Sequence, residues 1–205
     1  MFQVPISIFR SRKEPAMNRS EAWDILCEHT KTEPLRKHAL AVEAAMKAYA
    51  RKLGGDEEKW GIVGLLHDFD FEMHPNADEH PVKGAVILRE RGVPEDIVHA
   101  VLCHAPYLED VKPENDMDRA IFAVDELTGF VIAVALVRPN KTIHEVDVAA
   151  VKKKMKDKGF ARTVRREDIT GGAERLGVDL DEHIAFVIDA LKPVAADLGI
   201  AGTNA

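Results

Sequence analysis

The chain has 205 residues, 46% of them apolar and 31% charged. That suits one globular domain with a sizeable core and excludes a mini-protein, a wholly disordered chain and a long multidomain assembly. Lysine and arginine total 28 against 35 acidic residues, so the formal charge of −7 offers no general positive field for nucleic acid. Any phosphate-bearing partner has to be gripped locally.

Residues 1–17 show no sustained periodicity and contain two prolines, which predicts a flexible N-terminal arm. The apolar stretch Val4–Phe9 is too short for a signal peptide and Arg10 follows it at once, so secretion is not expected. Two cysteines, Cys27 and Cys103, are too few for a disulfide framework or a four-thiolate zinc site and suit a reducing, cytoplasmic setting.

From Asn18 onward the pattern is helical. Asn18 and Ser20 are capping candidates for a helix through Trp23, Ile25 and Leu26. A second helix is expected over Glu33–Leu53, stopped by Gly54-Gly55, and a third from Asp56 through Trp60, Val63 and Leu66 into the polar cluster His67-Asp68-Phe69-Asp70. Residues 72–79, with Pro75, Asn76 and Asp78, read as a loop. Helices follow over about 80–91 and 94–105, then an apolar one over 117–137, which Asp125 and Glu126 interrupt and which is therefore read as buried rather than membrane-spanning. A basic helix is expected over His144–Lys158, a short one over Arg166–Leu176, and a last one through Ile184, Val187, Leu191 and Leu198, kinked at Pro193. No strand-like alternation persists, so the fold class is all-α, a helical bundle with additional C-terminal helices.

The informative residues are polar ones on apolar faces. His38 is in register with Val42, Ala45 and Tyr49; His67 follows Val63 and Trp60 and carries Asp68 with it. His104 stacks above Ile97 and Val101, and Asp125 lies between Ile121 and Ile132 on the same apolar helix. A lone buried imidazole is usually a satisfied core residue, and an unpaired buried carboxylate protonates or destabilises the fold. Four such groups on separate helices suggest instead a site where nitrogen and oxygen donors converge without thiolate, which suits Fe, Mn, Co or Zn.

These residues resemble the HD superfamily of metal-dependent phosphohydrolases, whose pattern is a histidine, a His-Asp doublet and a distant aspartate. Here those are His38, His67-Asp68 and Asp125. The stretches around His80 and His104 look like the extended, six-ligand version, with His74 a competing candidate for the place of His80. The resemblance covers about residues 20–137. It implies an HD-type core over 18–140, with residues 141–205 as C-terminal helices packed on it, and a metal set of His38, His67, Asp68, His80, His104 and Asp125.

In the family such a set holds two divalent ions bridged by the aspartate of the doublet, which implies hydrolysis of a nucleotide or other small phosphate ester or anhydride. Asp68, Glu72 and Lys83 are the residues expected to take part in the chemistry, Asp70 or Glu72 as proton shuttle and Lys83 on a phosphate oxygen. Phe69-Asp70 after the doublet departs from the branch that cleaves cyclic dinucleotides, so that substrate is not carried over. The same pattern is similar to HD-type diiron oxygenases, and a non-catalytic nucleotide sensor would keep the same fold. The basic run Lys152–Lys154, Lys156, Lys158, Arg162, Arg165 and Arg166 reads as a solvated face or as a rim that draws in phosphate. Neither membrane attachment nor stable nucleic-acid binding is expected.

Overall fold

A computed structural model describes residues 17–202; all but the last residue of the expected arm, 1–17, lies outside the described residues. Ten α-helices follow one another: α1 (Arg19–His29), α2 (Glu33–Leu53), α3 (Glu57–Leu66), α4 (Val82–Glu90), α5 (Glu95–Cys103), α6 (Asp116–Leu136), α7 (Val148–Met155), α8 (Arg166–Leu176), α9 (Leu180–Leu191) and α10 (Ala195–Leu198). Among the described residues there is no strand, only one isolated bridge between Thr142 and Ala201. The all-α expectation is met.

Local chemistry sets the helix limits. Asn18 caps α1 reciprocally with Glu21, Asp56 caps α3 through the Lys59 N–H, and Asn115 caps α6 through that of Asp118. The α2 helix ends at Gly54 in the left-handed conformation, φ 74°. Two expected helices are divided. The segment 144–158 is a 3₁₀ turn at Ile143–Glu145 followed by α7, because the Asp147 side chain accepts from the Ala150 N–H and starts a new helix there. The last helix stops at Leu191, and a 3₁₀ turn holding Pro193 separates it from α10.

The two longest helices, α2 and α6, form the centre. The α3 helix lies along α2, α8 lies along α6, α5 contacts both α3 and α6, and α9 packs on α2 and α6. Val42, Ala45, Met46 and Tyr49 from α2 meet Ile62, Val63 and Leu66 from α3 and Ile121, Leu127 and Phe130 from α6 in one continuous core. Each fully buried large apolar side chain of this kind stabilises the fold by about 1.5–3 kcal/mol. Close approach of α2 and α3 depends on Gly64, where a Cβ would fall 2.7 Å from the Glu43 backbone nitrogen. That contact sets how near the helix carrying His38 can come to the helix carrying His67. Glu43 itself is buried, with its carboxylate held by Arg19 at 2.5 and 2.8 Å and by Lys47 at 2.5 Å.

A second buried polar contact ties α9 to the centre. His183 lies 2.6 Å from the Tyr49 hydroxyl through Nδ1 and 2.9 Å from the Ala123 carbonyl through Nε2. The neutral ring donates from Nε2 to that carbonyl and accepts the phenol proton at Nδ1. Burial lowers the pKa of His183, the Ala123 carbonyl opposes this and Lys52 adds to it. A depressed folded pKa gives stability that is present above the unfolded value, about 6.5, and is lost as pH falls through it toward the folded value. We therefore expect the melting temperature of the native chain to fall more between about pH 7.5 and pH 5.5 than that of His183→Gln. Equal slopes in a thermal-melt series would contradict this role.

Candidate metal centre

Six side chains from five parts of the chain converge at one end of the bundle. His38 comes from α2, His67 and Asp68 from the end of α3, His80 from the turn before α4, His104 from the end of α5 and Asp125 from the middle of α6. They form two groups that share Asp68: His38, His67, Asp68 and Asp125 on one side, and Asp68, His80 and His104 on the other. All six residues expected from the sequence as metal ligands are thus brought together, and His80 rather than His74 joins the cluster. His74 instead lies 3.6 Å from Glu79.

Distances show how Asp68 divides the site. Its Oδ1 faces His80 Nε2 at 3.1 Å and His104 Nε2 at 3.3 Å, whereas its Oδ2 faces His67 Nε2 at 3.5 Å and His38 Nε2 at 3.8 Å. Asp125 Oδ1 is 3.0 Å from His38 Nε2 and 3.4 Å from His67 Nε2. The histidine nitrogens also face each other, His38 to His67 at 3.2 Å and His80 to His104 at 3.0 Å.

The outer ring nitrogens explain why these contacts call for cations. His67 Nδ1 lies 2.8 Å from the Gly64 carbonyl and His104 Nδ1 lies 2.5 Å from the Val101 carbonyl, so both must donate there. His80 Nδ1 is 2.8 Å from Asp70, whose other oxygen accepts from the Gly84 N–H at 3.0 Å. Each of these rings in its neutral form then presents the Nε2 lone pair inward, toward other lone pairs and carboxylate oxygens. An ion about 2.1 Å from its ligands spaces neighbouring donors about 3.0–3.4 Å apart in octahedral or tetrahedral geometry. The observed spacings lie in or near that range, so the residues present fit two divalent ions, one on each side of Asp68.

Titration behaviour follows from the same crowding. Burial alone would lower His67, but Asp68 and Asp125 outweigh it and hold its pKa well above the ordinary value. Burial likewise opposes the rise at His80, which hydrogen bonds to Asp68 and Asp70 bring to about 9. Desolvation would raise Asp68 and Asp125, yet His67 and the other imidazoles hold both below the usual carboxylate range. Protons and metal ions compete for the same nitrogens.

The centre opens into a cleft of about 500 Å³, walled by Phe71, Tyr107, Phe122, Glu126, Arg165 and Asp168 among others. The Tyr107 hydroxyl donates to the His80 carbonyl at 2.9 Å, and Arg165 pairs with Asp168 at 3.2 Å. Burial raises Glu126 to about 7, Asp125 adds to this, and the Arg165 backbone N–H opposes it. Tyr107, Glu126, Arg165 and Asp168 were not singled out from the sequence as site residues. Only Arg165 carried a signal, as one member of the basic run.

Two expected participants stand elsewhere. The Glu72 carboxylate accepts from the Lys31 and Thr32 N–H groups at 2.6 and 3.2 Å and so covers the start of α2. Lys83 is half-exposed and pairs with Glu79 in the turn before α4. Neither lines the cleft. Asp70 is fully buried against His80, which makes it a residue that orients a ligand rather than a shuttle reaching solvent. Part of the basic run is likewise engaged outside: Lys152 pairs with Asp181, Lys154 lies over Phe160, and Arg166 donates to the Ala161 and Val164 carbonyls. Orienting partners of metal-bound histidines are worth roughly ten- to hundredfold in affinity. Asp70→Asn should therefore weaken Mn(II) binding by about that factor while circular dichroism stays unchanged. An unaltered titration would show that Asp70 does not position His80.

Comparison with known proteins agrees with this geometry. The model of the HD domain matches residues 35–129, which include all six converging histidines and aspartates. Curated relatives named Ribonuclease Y share 33% identity over 94 residues in Oleidesulfovibrio alaskensis and 32% over 99 residues in Pelobacter propionicus. One named Ribonuclease Y 2, from Bdellovibrio bacteriovorus, shares 37% over 81 residues. These matches cover 45%, 48% and 39% of this chain but only 18%, 18% and 15% of the relatives, so the chain spans less than a fifth of their length. No described helix is long and apolar enough to cross a membrane. With its helical architecture and its His-Asp doublet, the stretch 35–129 matches the HD domain, whose family is a superfamily of metal-dependent phosphohydrolases.

Proposed function

We propose that this chain hydrolyses a phosphate ester or anhydride in a nucleotide or another small metabolite, using two divalent ions held by His38, His67, Asp68, His80, His104 and Asp125. The observation that carries the reading is the division of Asp68, with one carboxylate oxygen turned to each histidine pair. Ions bound there would polarise phosphoryl oxygens and acidify a water for in-line attack, so no side-chain nucleophile is needed. The chain's own contribution is positioning. The Gly64 and Val101 carbonyls fix the rings of His67 and His104, and Asp70 fixes that of His80. Arg165, at the cleft wall, supplies a fork of donors for a non-reacting phosphate oxygen, the part expected earlier of Lys83. Phe71, Tyr107 and Phe122 offer apolar surface for the remainder of the substrate.

The name of the relatives raises an RNA phosphodiester as an alternative substrate. A small substrate is favoured by the formal charge of −7 and by a cleft whose lining includes one arginine and no lysine.

In a phosphate-release screen with Mn(II), Co(II) or Fe(II) supplied, Asp68→Ala should lose roughly a hundredfold or more in turnover together with bound metal. Full turnover and full metal content in that variant would overturn the mechanism. Arg165→Ala should raise KM about tenfold with kcat little changed, as expected for a charge-assisted bond made equally in ground and transition states. If KM stays constant at low salt, Arg165 does not bind the phosphate.

A further inference from the structure

A third cluster of ligand-type side chains lies outside the cleft. His99 and Cys103 stand one turn apart on α5 and project toward Asp118, in the first turn of α6. His99 Nδ1 is 3.2 Å from Asp118 Oδ2 and 3.7 Å from Cys103 Sγ. None of the three lines the cleft of the metal centre.

Asp118 carries the second, independent observation. Its Oδ2 is well supplied, accepting from the Glu114 N–H at 2.9 Å and from Asn115 Nδ2 at 3.0 Å. Its Oδ1 is buried and has no hydrogen-bond partner among the described residues, and the residue as a whole is only 1% exposed. Capping of α6 therefore accounts for one carboxylate oxygen and leaves the other without a role. A buried carboxylate oxygen without a donor is costly, and a cation held by the Asp118 carboxylate beside His99, which Oδ2 faces, would neutralise the group as a whole.

We propose that His99, Cys103 and Asp118 form a separate site for one thiolate-accepting divalent ion of the zinc class. Tetrahedral coordination at ordinary zinc–ligand lengths spaces a nitrogen about 3.4 Å from an oxygen and about 3.6 Å from a sulfur. The observed 3.2 and 3.7 Å need only small side-chain adjustments to reach those values. Three protein ligands leave a fourth position for water, and the His99 side chain, 27% exposed, provides the way in from solvent. Binding takes one proton from the Cys103 thiol and releases it to solvent, while neutral His99 keeps its proton on Nε2 and coordinates through Nδ1. An ion here would pin the end of α5, where His104 begins the next turn, to the start of α6. This proposal stands or falls independently of the reading of the cleft.

The central site contains no sulfur, so a sulfur-to-cobalt charge-transfer band distinguishes the two. Reduced, metal-stripped full-length chain should be titrated with Co(II) and followed in the near ultraviolet. The band is expected in the native chain and in Cys27→Ser and absent in Cys103→Ser. His99→Ala should shift the titration midpoint upward at least tenfold, since loss of a ligand costs no less than the roughly tenfold lost with a ligand's hydrogen-bond partner. Absence of the band at saturating cobalt, or its persistence in Cys103→Ser, would overturn the site. Should Cys103→Ser fail to fold by circular dichroism, His99→Ala decides: an unmoved midpoint there overturns it equally.

Discussion

Lone pairs aimed at lone pairs dominate this molecule. Three imidazoles are turned by their outer nitrogens so that, when neutral, each points an acceptor inward, and the carboxylates of Asp68 and Asp125 point at the same space. Such an arrangement is repulsive unless positive charge enters it, whether as protons on the imidazoles or as metal ions. The raised pKa of His67 and the depressed one of Asp68 express the proton solution. The two oxygens of Asp68, each directed at a different pair of histidines, are placed as the proposed metal binding would need them.

Holding such a cluster together requires a rigid frame, because it opposes its own assembly. Apolar packing of α2, α3 and α6 provides that frame, and the contact at Gly64 brings His38 and His67 within reach of each other. Polar groups around the frame are themselves closed off: Asp70 by His80 and the Gly84 N–H, Glu43 by Arg19 and Lys47, His183 by Tyr49 and the Ala123 carbonyl. Helices beyond the HD match complete the cleft rather than the ligand set, since Thr163, Val164, Arg165 and Asp168 form part of its wall. In the proposed function, metal binding and substrate selection would fall to different stretches of the chain.

All the converging residues but His80 were legible in the sequence because they sit in register with core residues on a helix or directly at a helix end. His38 shares the stripe of Val42, Ala45 and Tyr49, and Asp125 lies between Ile121 and Ile132. The resemblance to a known family supplied His80, which has no clear core stripe and for whose place His74 was a competing candidate. Residues that depend on the path of a loop were not legible. Glu72 is four positions from Asp68, yet the chain turns it toward the start of α2, where unpaired N–H groups attract its carboxylate. Arg165 and Asp168 are remote in sequence and reach the cleft only because α8 packs along α6, at a place where Gly172 would bring a Cβ within 2.7 Å of the Ala123 Cα. No local pattern announces a contact of that kind.

The central claim is that a single carboxylate stands between two cations. Anomalous diffraction from crystals grown with Mn(II) tests it most directly. The account predicts two peaks flanking Asp68, one ligated by His38, His67 and Asp125 and the other by His80 and His104. A map without density at either place, or an Asp68 side chain turned away from the ions found there, would contradict it.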